Sequence, residues 1–292
     1  MSGTLRHILS RGQVVPMPGV YDAVSALIAE RSGFAGVFLS GSALSYTMLG
    51  RPDIGLVTLT EAAATLERVR DRISIPILVD ADSGFGNALN VARTIRVFER
   101  AGASAIQIED QINHKRPGDL AARPLVSPSE MVGKIKAALD ARHSDETLIS
   151  ARTDAPFSET FEQALARAHA YADAGADIIF VEGLSELVQL QRLTDEFRGK
   201  KPLLHNVLDG GKSPLQTTAE LGALGYSIVL FPGAAVQSAV SAMERALQTL
   251  KTDGHTKALR ANMHDGKSLN QLIGTPEFQT AAKVFDATNF ND

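Results

Sequence analysis

The chain has 292 residues, 44% of them hydrophobic, which is enough for one large core, and no shift in composition marks a second one. Its 29 basic and 33 acidic side chains are spread along the chain, so neither nucleic acid nor an anionic membrane is an indicated partner, and the absence of cysteine excludes disulfides, thiolate metal sites and cysteine catalysis. No apolar run approaches the roughly 20 residues of a membrane span and no signal-peptide pattern is present, so we expect a cytoplasmic protein that acts on small molecules.

Eight short apolar runs alternate with segments of helical apolar spacing. The runs are uninterrupted, as is typical of parallel strands buried on both faces. The predicted strands are 14–17, 36–39, 76–80, 105–109, 148–152, 178–181, 202–206 and 227–230, and the predicted helices are 21–31, 60–72, 89–101, 127–142, 161–174, 186–197 and 217–224. Eight such units within about 250 residues favour a closed (β/α)₈ TIM barrel over an open doubly wound sheet.

The segment after the eighth unit is too short to fold alone. We therefore predict a barrel domain over residues 1–253 and a C-terminal helical extension over residues 254–292 that is not an independent domain. Its apolar residues need a surface to cover, either on their own barrel or on another protomer; they are Leu259, Leu269, Leu272, Phe278, Val284 and Phe285.

Polar side chains follow the predicted strands at the edge where active sites of such barrels lie. The densest group is Asp80 and Asp82, and Glu109 follows the next strand. Carboxylates forced together repel one another unless a cation lies among them. Oxygen ligands without paired histidines or thiolates suit Mg²⁺ or Mn²⁺ rather than zinc. The sequence therefore predicts a metal bound directly by Asp80, with Asp82 and Glu109 held through water.

The remaining strand ends carry groups that bind carboxylates. Arg152 is suited to bidentate contact with one carboxylate, and the backbone amides of Ser40, Gly41 and Ser42 are suited to a second. Glu182 and Asn206 follow the sixth and seventh strands. The alternative is a buried salt-bridge network at the barrel rim without chemistry, and such a network should bind no Mg²⁺.

An ordered series of motifs from about Pro16 to Gly254 resembles the isocitrate lyase/phosphoenolpyruvate mutase superfamily, and most of all its methylisocitrate lyase-like and dimethylmalate lyase-like members. Each motif is weak alone, and the order makes the series specific. The motifs are Met17-Pro-Gly-Val-Tyr-Asp22-Ala-Val-Ser25, Ser40-Gly41, Arg51-Pro-Asp53-Ile-Gly, Asp80-Ala-Asp82-Ser-Gly-Phe-Gly-Asn87, Ile108-Glu109-Asp110-Gln111, Ala151-Arg152-Thr153-Asp154, Val181-Glu182, and Asn206 through Pro214-Leu215.

The resemblance implies a (β/α)₈ barrel and a Mg²⁺-dependent enzyme that breaks a C–C or P–C bond and stabilises the resulting enolate with the metal. We predict a lyase that cleaves a C–C bond in a small 2-hydroxy or 2-oxo dicarboxylate. It assigns the metal to Asp80, Asp82 and Glu109. Carboxylate binding falls to Arg152, Asn206 and the Ser40-Gly41 backbone, and Asp53 lies on a loop near the substrate. It also implies a homo-oligomer, a dimer or tetramer, in which C-terminal helices are exchanged between subunits.

The gating loop departs from the family pattern. The lyases read Lys-(Lys/Arg)-Cys-Gly-His, whose Cys acts in proton transfer, whereas this chain reads His114-Lys115-Arg116-Pro117-Gly118-Asp119. Pro117 has no acidic hydrogen, and it also fails to match the Asn of phosphonopyruvate-type members.

Three interpretations remain open, and Lys115, Arg116 and Asp53 are candidate catalytic residues in the first two. The chain is a lyase with another acid, for which His114 is the nearby candidate. It performs phosphonomutase-type P–C chemistry or oxaloacetate-type decarboxylation, which needs no enzymic proton. Or it is a non-catalytic homologue that binds a dicarboxylate.

Overall fold

The computed structural model describes residues 3–112 and 123–286. Eight parallel strands follow one another around a closed barrel, and β1 pairs with β8 from Val15 opposite Ile228 to Pro18 opposite Phe231. The predicted (β/α)₈ barrel is thus confirmed. The strands are β1 (Val15–Val20), β2 (Val37–Leu39), β3 (Ile77–Asp80), β4 (Ala105–Glu109), β5 (Leu148–Thr153), β6 (Ile178–Val181), β7 (Leu203–Asn206) and β8 (Ile228–Phe231).

Helices lie between the strands and after the last one. They are α1 (Leu5–Ser10), α2 (Ala23–Arg31), α3 (Gly41–Leu44), α4 (Leu59–Arg72), α5 (Ala88–Arg100), α6 (Pro128–Ala141), α7 (Phe161–Asp173), α8 (Leu187–Phe197), α9 (Thr218–Leu224), α10 (Ala234–Asp253), α11 (Gly266–Ile273) and α12 (Thr275–Val284). A π-helical turn, Ser45–Leu49, continues α3. The sequence analysis did not predict α1, α3 or α10. Of these, α1 and α3 have six and four residues, which is too short to show an apolar period.

Most helices begin at a side-chain cap that the sequence provides. At the start of α4, for example, Thr58 accepts from the backbone of Glu61 and Glu61 accepts from the backbone of Thr58. This capping box satisfies two backbone donors that the first turn leaves free. The helix starts, and hence the strand–helix loops at the barrel mouth, are fixed locally by the sequence.

Two apolar clusters hold the barrel together. One fills the interior with Met17, Phe38, Leu78 and Leu230, and Leu5 of α1 belongs to it. The other lies between the strands and the surrounding helices and includes Ile77, Ile106 and Phe98. Strand residues therefore alternate between interior and helix layer, as the two faces of a pleated strand require. Interior positions near the strand ends are polar, and they form the site.

The chain divides into two compact units, one ending at Val236 and one beginning at Gln237. The division falls within α10, whereas the sequence placed it at residue 253; the domain assignment itself remains a prediction. The second unit comprises most of α10, a short 3₁₀ turn (Lys257–Asn262), and α11 packed on α12. No described helix is both long and apolar enough to cross a membrane.

Candidate active site

A cavity of about 350 Å³ opens at the carboxyl ends of the strands. Seven of the residues that the sequence assigned to the site line it, namely Ser40, Ser42, Asp53, Asp80, Arg152, Glu182 and Asn206. Gln107, Gln111 and Arg123, which the sequence did not assign, line it as well. The barrel mouth therefore brings these acidic, basic and amide groups into one space.

The loop after β3 holds Asp80 and Asp82 in a fixed conformation. Asp80 Oδ1 accepts from the backbone N–H of Asp82 at 3.2 Å, and the carbonyl of Asp82 accepts from the backbone N–H of Glu109 at 2.8 Å. Asp82 and Phe85 have φ of 46° and 60°, a conformation that costs about 1–3 kcal/mol and persists only where the surroundings impose it. The buried ammonium of Lys134 donates to the carbonyl of Ser83 at 3.1 Å.

Gly41 lies against the carboxylate of Asp80. A Cβ built on Gly41 would be 2.8 Å from Asp80 Oδ2, which is closer than side-chain carbons approach. The backbone at the start of α3 and the carboxylate of Asp80 thus share a space that only glycine leaves open. This explains why the Ser40-Gly41 motif follows β2 at the level where β3 ends.

Arg152 forms the centre of a buried charge cluster. Its guanidinium contacts Asp154 Oδ1 at 2.9 Å, Glu109 Oε2 at 3.3 Å and Glu182 Oε2 at 3.8 Å. Burial alone would lower the pKa of Arg152, but the charges of Asp154, Glu109 and Glu182 raise it above its usual value. Arg152 is therefore a permanent cation, surrounded on several sides by acids.

Asp154 is the acid that ties this cluster to the second arginine. It also contacts Arg123 Nη1 at 2.6 Å and accepts from Gln111 Nε2 at 2.8 Å. Burial would raise the pKa of Asp154, but the charges of Arg152 and Arg123 lower it. The guanidinium of Arg123 stacks over the Phe157 ring at 3.7 Å, which fixes its direction. A buried salt-bridge network is thus present at the barrel rim, and three of its members, Arg123, Arg152 and Glu182, line the cavity.

Asp110 faces the helix layer and not the cavity. Its carboxylate accepts from Thr153 Oγ1 at 2.6 Å, Tyr171 Oη at 2.7 Å and the backbone N–H of Asp154 at 2.9 Å. Burial raises the pKa of Asp110, and these hydrogen bonds oppose the rise. The contacts lock the end of β5, which carries Arg152 and Asp154, onto β4 and α7.

A second cavity of about 610 Å³ lies beside β6 and β7 and shares Arg123, Glu182 and Asn206 with the first. Asn206 Nδ2 donates to Glu182 Oε2 at 3.2 Å. His205 is 4% exposed and its Nε2 lies 2.8 Å from Ser213 Oγ; burial lowers its pKa to about 4. His205 is therefore neutral at pH 7.

The residues predicted to hold a metal offer carboxylate oxygens only. Among the described residues, no group of three or more histidines, aspartates or glutamates is close enough to form a ligand set by itself. A hard divalent ion that takes one carboxylate directly and the others through water fits this arrangement, whereas a zinc site of several direct protein ligands does not. Asp80 lines the cavity and its carboxylate lies against the Gly41 backbone, and its direct binding of a metal stays a prediction.

Three of the predicted catalytic residues, His114, Lys115 and Arg116, lie outside the described residues, as do Pro117 and Asp119. Their assignment stays a prediction. Gln107 was missed although the signal was available: it lies two residues before Glu109 on β4, and a period of two places both side chains in the barrel interior. Arg123 follows the residues predicted to form the gating loop, and no strand or helix pattern in the sequence indicates the direction of its side chain.

The family model described as phosphoenolpyruvate phosphomutase matches residues 5–251. The chain is 41% identical to 2,3-dimethylmalate lyase of Eubacterium barkeri over 92% of this chain and 93% of that one. It is 42% identical to 2-methylisocitrate lyase of Aeropyrum pernix, over 94% of this chain and 88% of the other.

Solved structures of related enzymes match the fold of this chain. A crystal structure of 2,3-dimethylmalate lyase, described as a PEP mutase/isocitrate lyase superfamily member, matches with a TM-score of 0.90 at 33% identity, over 98% of this chain and 95% of that one. Oxaloacetate acetylhydrolase in complex with 3,3-difluorooxalacetate matches with a TM-score of 0.90 at 29% identity, over 97% and 96%. Phosphonopyruvate hydrolase in complex with oxalate and Mg²⁺ matches with a TM-score of 0.87 at 28% identity, over 97% and 98%.

Proposed function

The chain belongs to the phosphoenolpyruvate phosphomutase family within the PEP mutase/isocitrate lyase superfamily, and from that membership we propose that it is a Mg²⁺-dependent lyase. Its substrate is a small 2-hydroxy or 2-oxo dicarboxylate, and the bond that breaks is a C–C bond. One observation carries the proposal: a permanent cation, Arg152, and the acid assigned to the metal, Asp80, line the same cavity at the barrel mouth.

Arg152 binds one carboxylate of the substrate. Its guanidinium is held by Asp154 and Glu109, so little side-chain entropy is lost when a ligand binds. Arg123, which also lines the cavity, adds positive charge beside it. The backbone N–H groups of Gly41 and Ser42 serve the second carboxylate, whereas that of Ser40 donates to the carbonyl of Val20 at 3.1 Å. Asn206 Nδ2, at the end of β7, is a further donor at the cavity wall.

A Mg²⁺ ion held by Asp80, with Asp82 and Glu109 acting through water, would supply Lewis-acid stabilisation of the negative charge that develops on the substrate oxygen. The protein contributes the fixed loop that carries these acids. The hydrogen bond from the backbone N–H of Glu109 to the carbonyl of Asp82 joins the ends of β3 and β4, so the carboxylates are positioned before any ligand arrives.

The proton that the departing carbon takes comes from a different source than in family members with a loop cysteine. Pro117 has no acidic hydrogen. His114 or water supplies the proton, and a positioned acid typically contributes about 10²–10⁴-fold in rate. The chain should therefore be slow on aldol-type substrates unless His114 serves, and faster on those whose enolate takes its proton from water.

A product assay tests the proposal. The protein with Mg²⁺ is incubated with 2-methylisocitrate, 2,3-dimethylmalate, oxaloacetate and phosphonopyruvate, and products are followed by NMR. Release of a 2-oxo acid from 2-methylisocitrate or 2,3-dimethylmalate supports the lyase, and Asp80→Ala should abolish it. Asp195→Ala, at an exposed position on α8, is the matched control and should leave turnover unchanged.

Two results would contradict the proposal. Turnover of phosphonopyruvate with 2-methylisocitrate and 2,3-dimethylmalate both untouched would mean P–C chemistry. Binding of these acids without any product would mean a ligand-binding homologue that has lost catalysis.

A further inference from the structure

The side chain of Gln107 lies in the wall of the 350 Å³ cavity and is only 1% exposed. Neither its Oε1 nor its Nε2 has a hydrogen-bond partner among the described residues. Buried amides almost always have partners, because an unpaired polar group in the interior is costly. An amide that is buried, unpaired and facing a cavity is a group arranged for a ligand.

The register of the strands places Gln107 beside the other ligand-binding groups. Its Cα is paired with that of Asp80 on β3 and with that of Ser150 on β5, and Arg152 lies two residues after Ser150. The four positions share the interior side of neighbouring strands. Since Gln107, Asp80 and Arg152 all line one cavity, a small acid bound at Arg152 comes within reach of the amide.

We propose that Gln107 determines specificity by binding the C2 hydroxyl of the substrate, and so selects 2-hydroxy acids over 2-oxo acids. An amide both donates and accepts. The amide oxygen accepts a hydrogen bond from the C2 hydroxyl, while the amide nitrogen donates a hydrogen bond to a neighbouring oxygen of the substrate. Either orientation of the amide allows this pairing. The assignment of Gln107 rests on the proposed function, because Arg152 is taken as the carboxylate-binding residue.

A 2-oxo acid offers only acceptors at C1 and C2. It pairs with the amide nitrogen and leaves the amide oxygen buried without a donor. The cost of one unsatisfied buried polar group corresponds to roughly 5- to 150-fold in a binding constant. The site should therefore bind a 2-hydroxy acid at least about fivefold more tightly than its 2-oxo counterpart.

Binding of racemic lactate and of pyruvate, measured by NMR titration with Mg²⁺ present, tests the inference. The two acids differ only at C2, and neither contains the bond that the proposed lyase cleaves. The wild type should prefer lactate, and Gln107→Met, which has similar length but no amide, should lose the preference. Gln191→Met, on the exposed face of α8, is the matched control and should keep it.

Thermal stability provides a second readout that a merely structural role would not give. Without ligand, Gln107→Met should melt at or above the wild-type temperature, because it removes a buried amide that has no described partner. A lower melting temperature, or a lactate preference that survives in the variant, overturns the assignment of Gln107 alone. The same holds if the wild type binds pyruvate as tightly as lactate. If the wild type binds neither acid, the carboxylate site of the proposed function fails, and this inference fails with it.

Discussion

Arg152 Nη2 lies 2.9 Å from Asp154 Oδ1, and only Thr153 separates the two residues along the chain. The guanidinium is thus held by an acid from its own strand end, while Glu109 and Glu182 approach it from the neighbouring strands. A cation fixed in this way is oriented before a carboxylate arrives, and the acids around it keep the ligand-free site from accumulating positive charge.

Removal of Asp154 should destabilise the fold strongly. Asp154→Ala leaves Arg152 and Arg123 in the interior without their shared acid, and breaking a buried ion pair costs about 3–5 kcal/mol. Urea unfolding measures the loss. Asp195→Ala is the matched control, because its pair with Arg198 is exposed and should contribute about 0–1 kcal/mol. Equal losses in the two variants would contradict the buried role.

Removal of Asp80 should abolish metal binding. Isothermal titration with Mg²⁺ or Mn²⁺ should give a clear binding signal for the wild type and none for Asp80→Ala, because Asp80 is the proposed direct ligand. Asp82→Asn should weaken binding less, since the proposed contact of Asp82 runs through water. Undiminished affinity in Asp80→Ala would refute the site, and a wild type that binds no metal would favour the purely structural salt-bridge network.

His205 should make the fold less stable in acid. Burial lowers its pKa from 6.5 to about 4. Its contribution is therefore complete above pH 6.5 and is lost as the pH falls toward 4, because the unfolded chain binds the proton first. Between pH 7 and pH 5 the stability advantage of the wild type over His205→Gln should shrink by about 2 kcal/mol.

Urea unfolding at the two pH values gives this difference, since contributions from other groups cancel between wild type and variant. His255→Gln, at an exposed position, is the control and should retain the wild-type pH dependence. A constant gap between wild type and His205→Gln would show that the ring is not held neutral.

The second unit should form the contact between protomers. Large apolar side chains of α10–α12 are exposed, among them Leu247, Phe278 and Phe285, and a partner copy that covers them would gain hydrophobic stabilisation. Light scattering should find a dimer or tetramer for the wild type and a smaller species after removal of residues 255–292, with the barrel still folded by circular dichroism. A wild-type monomer, or an oligomer unchanged by the truncation, would contradict this expectation.

The sequence predicted all eight strands because each is an uninterrupted apolar run covered on both sides. The run Ala105–Glu109 is buried throughout and was bounded correctly at both ends. β1 was predicted to end at residue 17 because Pro18 and Gly19, which follow, are residues that usually mark a turn. The strand in fact extends to Val20. Position 19 requires glycine, because a Cβ there would lie 2.1 Å from the carbonyl oxygen of Pro232.

Strand ends also made much of the site predictable. Asp80, Arg152 and Asn206 follow apolar runs, and the fold brings such positions to one mouth. The contacts that orient them were not predictable. Asp154 holding Arg152, and Arg123 reaching Asp154 from beyond the loop, depend on side-chain directions that periodicity does not encode.

Gly41→Ala should impair the site while leaving the barrel folded. The added Cβ would lie 2.8 Å from Asp80 Oδ2 and 3.2 Å from its Cγ, so either the carboxylate or the start of α3 must move. A displacement of about 1 Å at such a site can cost about 10²-fold in kcat/KM. We expect weaker Mg²⁺ binding by calorimetry together with a loss of turnover of this order.

Gly133→Ala is the matched control, because a Cβ on Gly133, in the interior of α6, meets no atom within 4 Å. That substitution should stabilise the helix by about 0.5–1 kcal/mol and leave metal binding intact. If Gly41→Ala binds Mg²⁺ as the wild type does, then contact with Gly41 does not set the position of Asp80.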